Sequence, residues 1–241
     1  MLIEGETPQG PGRHGGPRLL AVFSFRYDAH LVPDLLHNLA PVVDGWIAFD
    51  DRGATEAFSS EPKRRTALLT LARKRGADWV LPVDPDERLE DAAATRMPDL
   101  LAAPPHTVWT FANRELFTPT AYRVDGLWRT KSRPRLFSMQ AGLPVSEQDL
   151  HAPWFRLGPD TKLRPSGLNL YHLKMLTPER RAARRDLYKH LDPEGRFQKL
   201  GYDYLADETG MELEEIPPGR GFSPPHREDG GLWMPAPKPA G

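Results

Sequence analysis

The sequence of 241 residues contains no cysteine, and that removes disulfides, thiolate metal sites and cysteine nucleophiles together. It fits a reducing compartment. Neither sign of charge is in excess, with 32 Lys and Arg against 33 Asp and Glu, so the chain lacks the global electrostatic footprint of a nucleic-acid binder. No apolar run approaches the roughly 20 residues that cross a bilayer, and the N-terminus lacks the apolar core of a secretion signal. The expectation is a cytoplasmic protein with at most peripheral membrane contact and no nucleic-acid partner. Also missing are a Gly-x-Gly-x-x-Gly turn after the first strand and a Walker loop, which argues against NAD-binding and P-loop chemistry.

What is present reads as alternating strands and helices. Leu19 to Phe25 is a short apolar run of strand-forming residues, and Val32, Leu35, Leu36 and Leu39 follow at the spacing of one helix face. Trp46 to Phe49 is a second strand, ending at Asp50 and Asp51. Pro62, the apolar set Ala67, Leu68, Leu71 and Ala72, and then Gly76 mark a second helix from start to stop. A strand from Trp79 follows at once. This β-α-β-α-β succession predicts parallel strands with right-handed crossovers, and a shared rim of carboxylates where two of them end in paired acids. Residues 1–17 and 217–241, rich in Gly, Pro and polar groups, are read as tails around a single folded domain, 18–216.

The most informative stretch is WVLPVDPDERLE, residues 79–90, where an apolar run stops at Asp84, Asp86 and Glu87. In open α/β sheets ligands collect beyond the carboxyl ends of the strands. Adjacent carboxylates repel unless a cation or proton relieves them, and Mg²⁺ or Mn²⁺ held by one or two carboxylates plus substrate phosphates is the usual resolution. The plainer alternative is a solvated acidic turn that caps the next helix.

The blocks VVDGWIAFDDRGATE (42–56) and RRTALLTLARKRGADWVLPVDPDERL (64–89) together resemble the nucleotide-sugar half of family 2 glycosyltransferases. That family has an acidic pair after an early strand, a helix led by a basic residue and a strand ending in Asp-x-Asp. Looser similarity extends through RPRLF (133–137) and LNLYHLKMLTPERRAARRDLY (168–188). The resemblance implies an α/β fold of the GT-A-like kind, a Rossmann-type mixed sheet flanked by helices in a single domain. It implies metal-assisted, inverting transfer from a nucleoside-diphosphate sugar to a hydroxyl of a saccharide or lipid-linked saccharide. Asp28, Asp50, Asp51, Arg65 and Asp84 would contact the donor, Asp84 and Asp86 would meet Mg²⁺ or Mn²⁺, and His172 could complete the metal's ligands. Glu87 would orient the loop from behind.

The resemblance places the acceptor's base in SEQDLHAPWF, residues 146–155, with Asp149 preferred, then Glu147, and His151 as base or metal ligand, and the plainer alternative is an exposed loop of ordinary polar residues. Relatives carry a His-Glu pair hereabouts, whereas His151 precedes Ala152. Relatives also show Asp-x-Gly-Ser-x-Asp where this chain has DDRGATE. His172 in LNLYHL reads equally as a hydrogen-bonded core histidine, and Asp28 as a helix cap. Thr177 and Pro178 start a basic helix whose Arg180, Arg181, Arg184, Arg185 and Lys189 form either a solvated face or a landing patch for an anionic acceptor or membrane surface. Trp128 and Trp154 are candidates for stacking on sugar. Two further functions stay open: a nucleotidyltransferase, which would want glycine in FSFRYDAH, and a nucleotide-sugar-binding module without turnover.

Overall fold

The computed structural model describes residues 1–7, 10, 12, 15–54, 60–147 and 153–226. Its strands are β1 (Leu2–Glu6), β2 (Leu19–Phe25), β3 (Gly45–Asp50), β4 (Trp79–Pro82), β5 (Glu87–Leu89), β6 (Thr107–Glu115), β7 (Ala121–Arg123), β8 (Ser132–Ser138), β9 (Lys162–His172) and β10 (Leu213–Glu215). The helices are α1 (Val32–Leu39), α2 (Glu61–Lys74), α3 (Ala93–Leu101) and α4 (Pro178–Leu191). Eight strands form one mixed sheet in the order β1-β3-β2-β4-β8-β6-β9-β5, and β10 pairs with β7 apart from it.

β2 shows why the sheet is covered on both faces. Its alternate residues Leu19, Ala21, Phe23 and Phe25 pack with Leu35 and Leu39 of α1 and Met97, Leu100 and Leu101 of α3. The intervening Leu20 and Val22 pack with Ile47, Val80 and Leu68, Leu69 and Ala72 of α2. With a side-chain period of two, an uninterrupted apolar run feeds both layers at once. α2 starts on Ser60, whose hydroxyl accepts the Lys63 N–H at 3.4 Å, and stops at Gly76 with φ 71°. β2 runs parallel to β3 and β4, as the β-α-β-α-β reading requires.

Strand direction then gathers the site. β8 is antiparallel to β4, β6 antiparallel to β8, and β9 parallel to β6. The carboxyl ends of β2, β4, β6 and β9 and the amino end of β8 therefore share one rim. A short β5 returns from the turn after β4 and pairs with the end of β9, placing Glu87 opposite His172.

Two expectations about the ends are corrected. Leu2–Glu6, assigned to a tail, is an edge strand antiparallel to β3. Its side chains stay exposed or half-buried, and it is held by backbone pairing and by Arg18–Glu6 at 2.6 Å and Arg75–Glu4. Composition cannot signal a strand held this way. The C-terminal boundary also lies beyond 216. Phe222 is buried against Tyr171 at 5.2 Å between ring centres, the Tyr171 hydroxyl donates to the Arg220 carbonyl at 2.6 Å, and Arg220 pairs with buried Glu90 at 2.8 Å. Among the described residues no helix is long and apolar enough to cross a membrane.

Candidate functional site

The turn after β4 is closed twice. The Glu87 N–H donates to the Asp84 carbonyl and the Asp84 N–H to the Glu87 carboxylate, both at 2.9 Å. This holds Asp86 at the sheet rim, where its carbonyl accepts the Leu173 N–H at 2.8 Å. His172, the last residue of β9, stands in register with Glu87 of β5 and Glu115 of β6. Its Nε2 lies 3.3 Å from Asp86 Oδ1 and its Nδ1 lies 3.1 Å from Glu115 Oε2. His172 Nδ1 and Glu115 Oε2 are buried and fall short of hydrogen-bond geometry.

Cations surround this row. Glu115 Oε1 takes Lys131 Nζ at 2.6 Å, Lys174 Nζ at 3.4 Å and the Asn113 amide at 2.9 Å. Arg135 bridges Asp84, at 2.9 Å, and Glu87, while Arg184 lies 3.6 Å from Asp86 Oδ2 and donates to the Tyr188 hydroxyl at 2.9 Å. Burial by itself would push the Asp86 carboxyl up, but His172, Arg184 and Lys174 outweigh it and hold it below the usual range. Burial likewise opposes ionised Glu115, yet His172, Lys174 and Lys131 hold it well below the usual range. Burial also disfavours the imidazolium of His172, and Glu115 with Asp86 reverses that and raises it. Burial lowers the Lys131 ammonium to about 8, against the pull of Glu115, and it raises Glu87 against the pull of Arg135.

Asp84, Asp86, Glu87, Lys131, Arg135, His172, Lys174 and Arg184 line a cleft of about 790 Å³ whose wall also includes Asp28, Arg65, Arg133 and Trp154, with Glu115 behind it. Among the described residues no three His, Asp or Glu side chains converge as a closed metal cage. Asp86 and His172 nevertheless fit a cation shared with a ligand. They aim a carboxylate oxygen and an imidazole nitrogen at each other across 3.3 Å, and the unsatisfied Nδ1 faces a carboxylate, the partner a metal-binding histidine ordinarily has behind it. Two protein ligands plus phosphate oxygens suit Mg²⁺ or Mn²⁺.

The other sequence-derived positions divide. Asp84 lies in the cleft and is engaged by Arg135. Arg65 is buried there, donating to Glu61 one turn earlier at 2.5 Å and to the Pro153 carbonyl at 3.1 Å, with its guanidinium over the Trp154 ring at 5.3 Å. Asp50 ends β3 at the same sheet edge as Asp84, since β2, β3 and β4 run parallel, but Asp50 and Asp51 do not line the cleft. Asp50 is taken by Arg52 at 2.7 Å and Asp51 by Arg64 at 3.3 Å, local partners that a motif does not reveal. Glu147 is exposed, 3.6 Å from Arg156, and does not line the cleft. Asp149 and His151 lie outside the described residues.

The basic helix is neither a solvated face nor a landing patch along its length. Arg181 is buried, donating to the Met175 carbonyl and Glu208, each at 2.7 Å, and Arg184 turns into the cleft. Trp128 is buried beneath Lys131 at 4.8 Å and Tyr204 at 5.5 Å, so it is not a rim residue. Sequence reasoning missed Glu115, Lys131, Arg135 and Lys174. Glu115 ends β6, but Asn113 and Arg114 before it break the apolar run that made Asp84 stand out, and Arg135 lay inside the quoted RPRLF.

Asp28, beyond the end of β2, reaches the cleft and makes no side-chain cap. Burial first, then Asp86 and Asp84, raise its carboxyl to about 7. An acid raised on folding costs stability as pH climbs from its unfolded to its folded value, and the cost is complete above the latter. Asp28→Asn is therefore expected to stabilise the metal-free protein by about 1–2 kcal/mol at pH 8, after allowance for partial solvent exposure, and by almost nothing at pH 4. Urea unfolding with chelator present checks this, and an equal effect at both pH values would contradict it.

No family model matches the sequence, and no curated protein matches it either. Among solved structures, the chain is similar to one described as a glycosyltransferase involved in the glycosylation of the major capsid of PBCV-1. The identity is 11%, the TM-score 0.40, and the match covers 68% of this chain and 98% of that one.

Proposed function

We propose that this protein transfers a glycosyl group from a nucleoside-diphosphate donor to an acceptor hydroxyl. One observation carries the reading: Asp86 and His172 meet at the strand-end rim, with Glu115 behind and Arg135, Arg184, Lys131 and Lys174 around them. Glycosyl transfer expels a diphosphate, so positive charge is needed where negative charge grows. Mg²⁺ or Mn²⁺, held by Asp86 and His172, would supply part of that charge to the departing phosphate.

The chain's own cations supply the rest. Arg135 and Arg184 are fixed by carboxylates and by Tyr188, and so bring donors to the diphosphate without reorganising. Arg65 and Trp154 form the wall on the α2 side, fitting a base or ribose. Asp28, near half protonation at neutral pH, can give or take a hydrogen bond with a hydroxyl. Asp149 and His151 remain the proton acceptors read from the sequence for the attacking hydroxyl.

Calorimetric titration of UDP, GDP and dTDP into the full chain, with Mn²⁺ or with chelator, tests this reading. One nucleotide should bind, and bind more tightly with the metal. Absence of binding by all three, with metal present, would overturn the proposal.

A further inference from the structure

Positive charge in the cleft is unevenly matched. Lys131, Arg133 and Arg135 alternate along the start of β8, and all three line the cleft, as residues two apart on one face of a strand do. The outer two are matched: Arg135 meets Asp84 at 2.9 Å and also Glu87, and Lys131 meets Glu115 at 2.6 Å. Arg133, between them, is exposed, and among the described residues no carboxylate pairs with it. Glu115 is already shared, since Lys174 Nζ lies 3.4 Å from the same Oε1 and His172 Nδ1 lies 3.1 Å from Oε2. Lys131, Arg133 and Lys174 thus stand around one buried carboxylate.

The lysines feel the crowding. Burial lowers both ammonium groups, Glu115 opposes it, and the charge of Arg133 adds to the lowering at each. The surplus also has a place relative to the diphosphate. The charge of Arg135 is felt at Arg65 on the α2 wall, whereas that of Arg133 is felt at Lys131, Lys174 and Tyr204. Arg133 stands about 7 Å farther along β8 than Arg135, away from the wall that fits the base. A diphosphate held at Asp86 and Arg135 therefore leaves Arg133 and the two lysines facing the sugar side.

We infer that the sugar bound on this side carries an anionic substituent, a carboxylate or a phosphate, which Arg133 binds directly beside Lys131 and Lys174. The inference rests on the glycosyl-transfer reading and names a substrate class for it. Arginine suits the role, because its planar fork takes a carboxylate or phosphate through two parallel hydrogen bonds and is weakly hydrated. A neutral sugar covering this corner would instead strip water from three cations that share one carboxylate.

Methyl β-glucuronide and methyl β-glucoside, which differ by a carboxylate, are titrated into the full chain with Mn²⁺ and the nucleotide that binds, or with Mn²⁺ alone if none does, and followed by NMR of the sugar's own signals. The glucuronide should bind at least about tenfold more tightly, the scale of one charge-assisted hydrogen bond. Arg133→Met should abolish this preference while nucleotide affinity stays as it was. Arg164→Met, which removes the same charge from an exposed position outside the cleft, should preserve it. Because Arg133 faces solvent, folding should persist, and thermal unfolding verifies it. A nucleoside-diphosphate uronate is then compared with the corresponding hexose compound. Tighter, Arg133-dependent binding of the uronate places the anion on the transferred sugar; equal binding, with the free glucuronide still preferred beside either, places it on the acceptor.

No preference in the wild type, or one that survives Arg133→Met, would overturn the inference. So would an equal loss of the plain nucleotide in Arg133→Met, since Arg133 would then serve the diphosphate. Failure of every nucleotide to bind, with an Arg133-dependent preference for the glucuronide intact, would instead sink the glycosyl-transfer reading and leave the anion site standing.

Discussion

Glu115→Ala is expected to lower stability by about 3–5 kcal/mol, the usual loss when one member of a buried ion cluster is removed. Glu115 is 1% exposed and is shared by Lys131, Lys174 and His172, so its removal leaves several cations without their common carboxylate. The pH dependence has a definite sign. Glu115 is held well below the usual glutamate range, so its contribution is present above the unfolded value and is lost as pH falls through the folded one. His172 is raised, so its contribution is complete below its unfolded value and is lost as pH rises through the folded one. The wild type should have a stability plateau between these limits in metal-free buffer, and Glu115→Ala should remove it. Urea unfolding from pH 4 to 9 reads both effects. A loss under 1 kcal/mol across that range would mean that water, rather than Glu115, satisfies the lysines. Glu115→Gln, which keeps the shape without the charge, should fall between the two.

Asp86→Asn should cost at least about 100-fold in Mn²⁺-dependent nucleotide affinity, since even groups behind a metal's ligands commonly contribute 10–100-fold. Metal-free affinity should change little. Arg135→Met should act differently, weakening nucleotide binding about tenfold with metal or chelator alike, because Arg135 offers the diphosphate a charge of its own. Calorimetry on both variants separates the two sources of positive charge. If Asp86→Asn and Arg135→Met lowered affinity equally under both conditions, Asp86 would have no role in holding the cation.

Much of the first half was legible because its signals are local. The apolar run Leu19–Phe25, the spacing of Val32, Leu35 and Leu39, and Pro62 and Gly76 around α2 are each read from neighbouring residues. The second half was less legible. β8 and β9 include exposed, charged residues at Ser132–Arg133 and Lys162–Pro165, so apolar periodicity marks only their inner portions. α4 was correctly placed by Thr177 and Pro178, but its direction of facing was not, because arginine has the same hydropathy whether it meets water or the Asp86 carboxylate.

The sequence by itself determined the β-α-β-α-β core, the acids that end β4 and the basic helix after Thr177, since helix and strand periods and caps are written in neighbouring residues. Tertiary structure alone decided which ends meet. The alternating directions of β4, β8, β6 and β9 bring Asp86, Arg135, Glu115 and His172 to one rim, whereas Asp50 and Asp51, equally prominent as a motif, close on Arg52 and Arg64. A carboxylate's role depends on the cation that reaches it first, and strand order and direction determine which distant cations can.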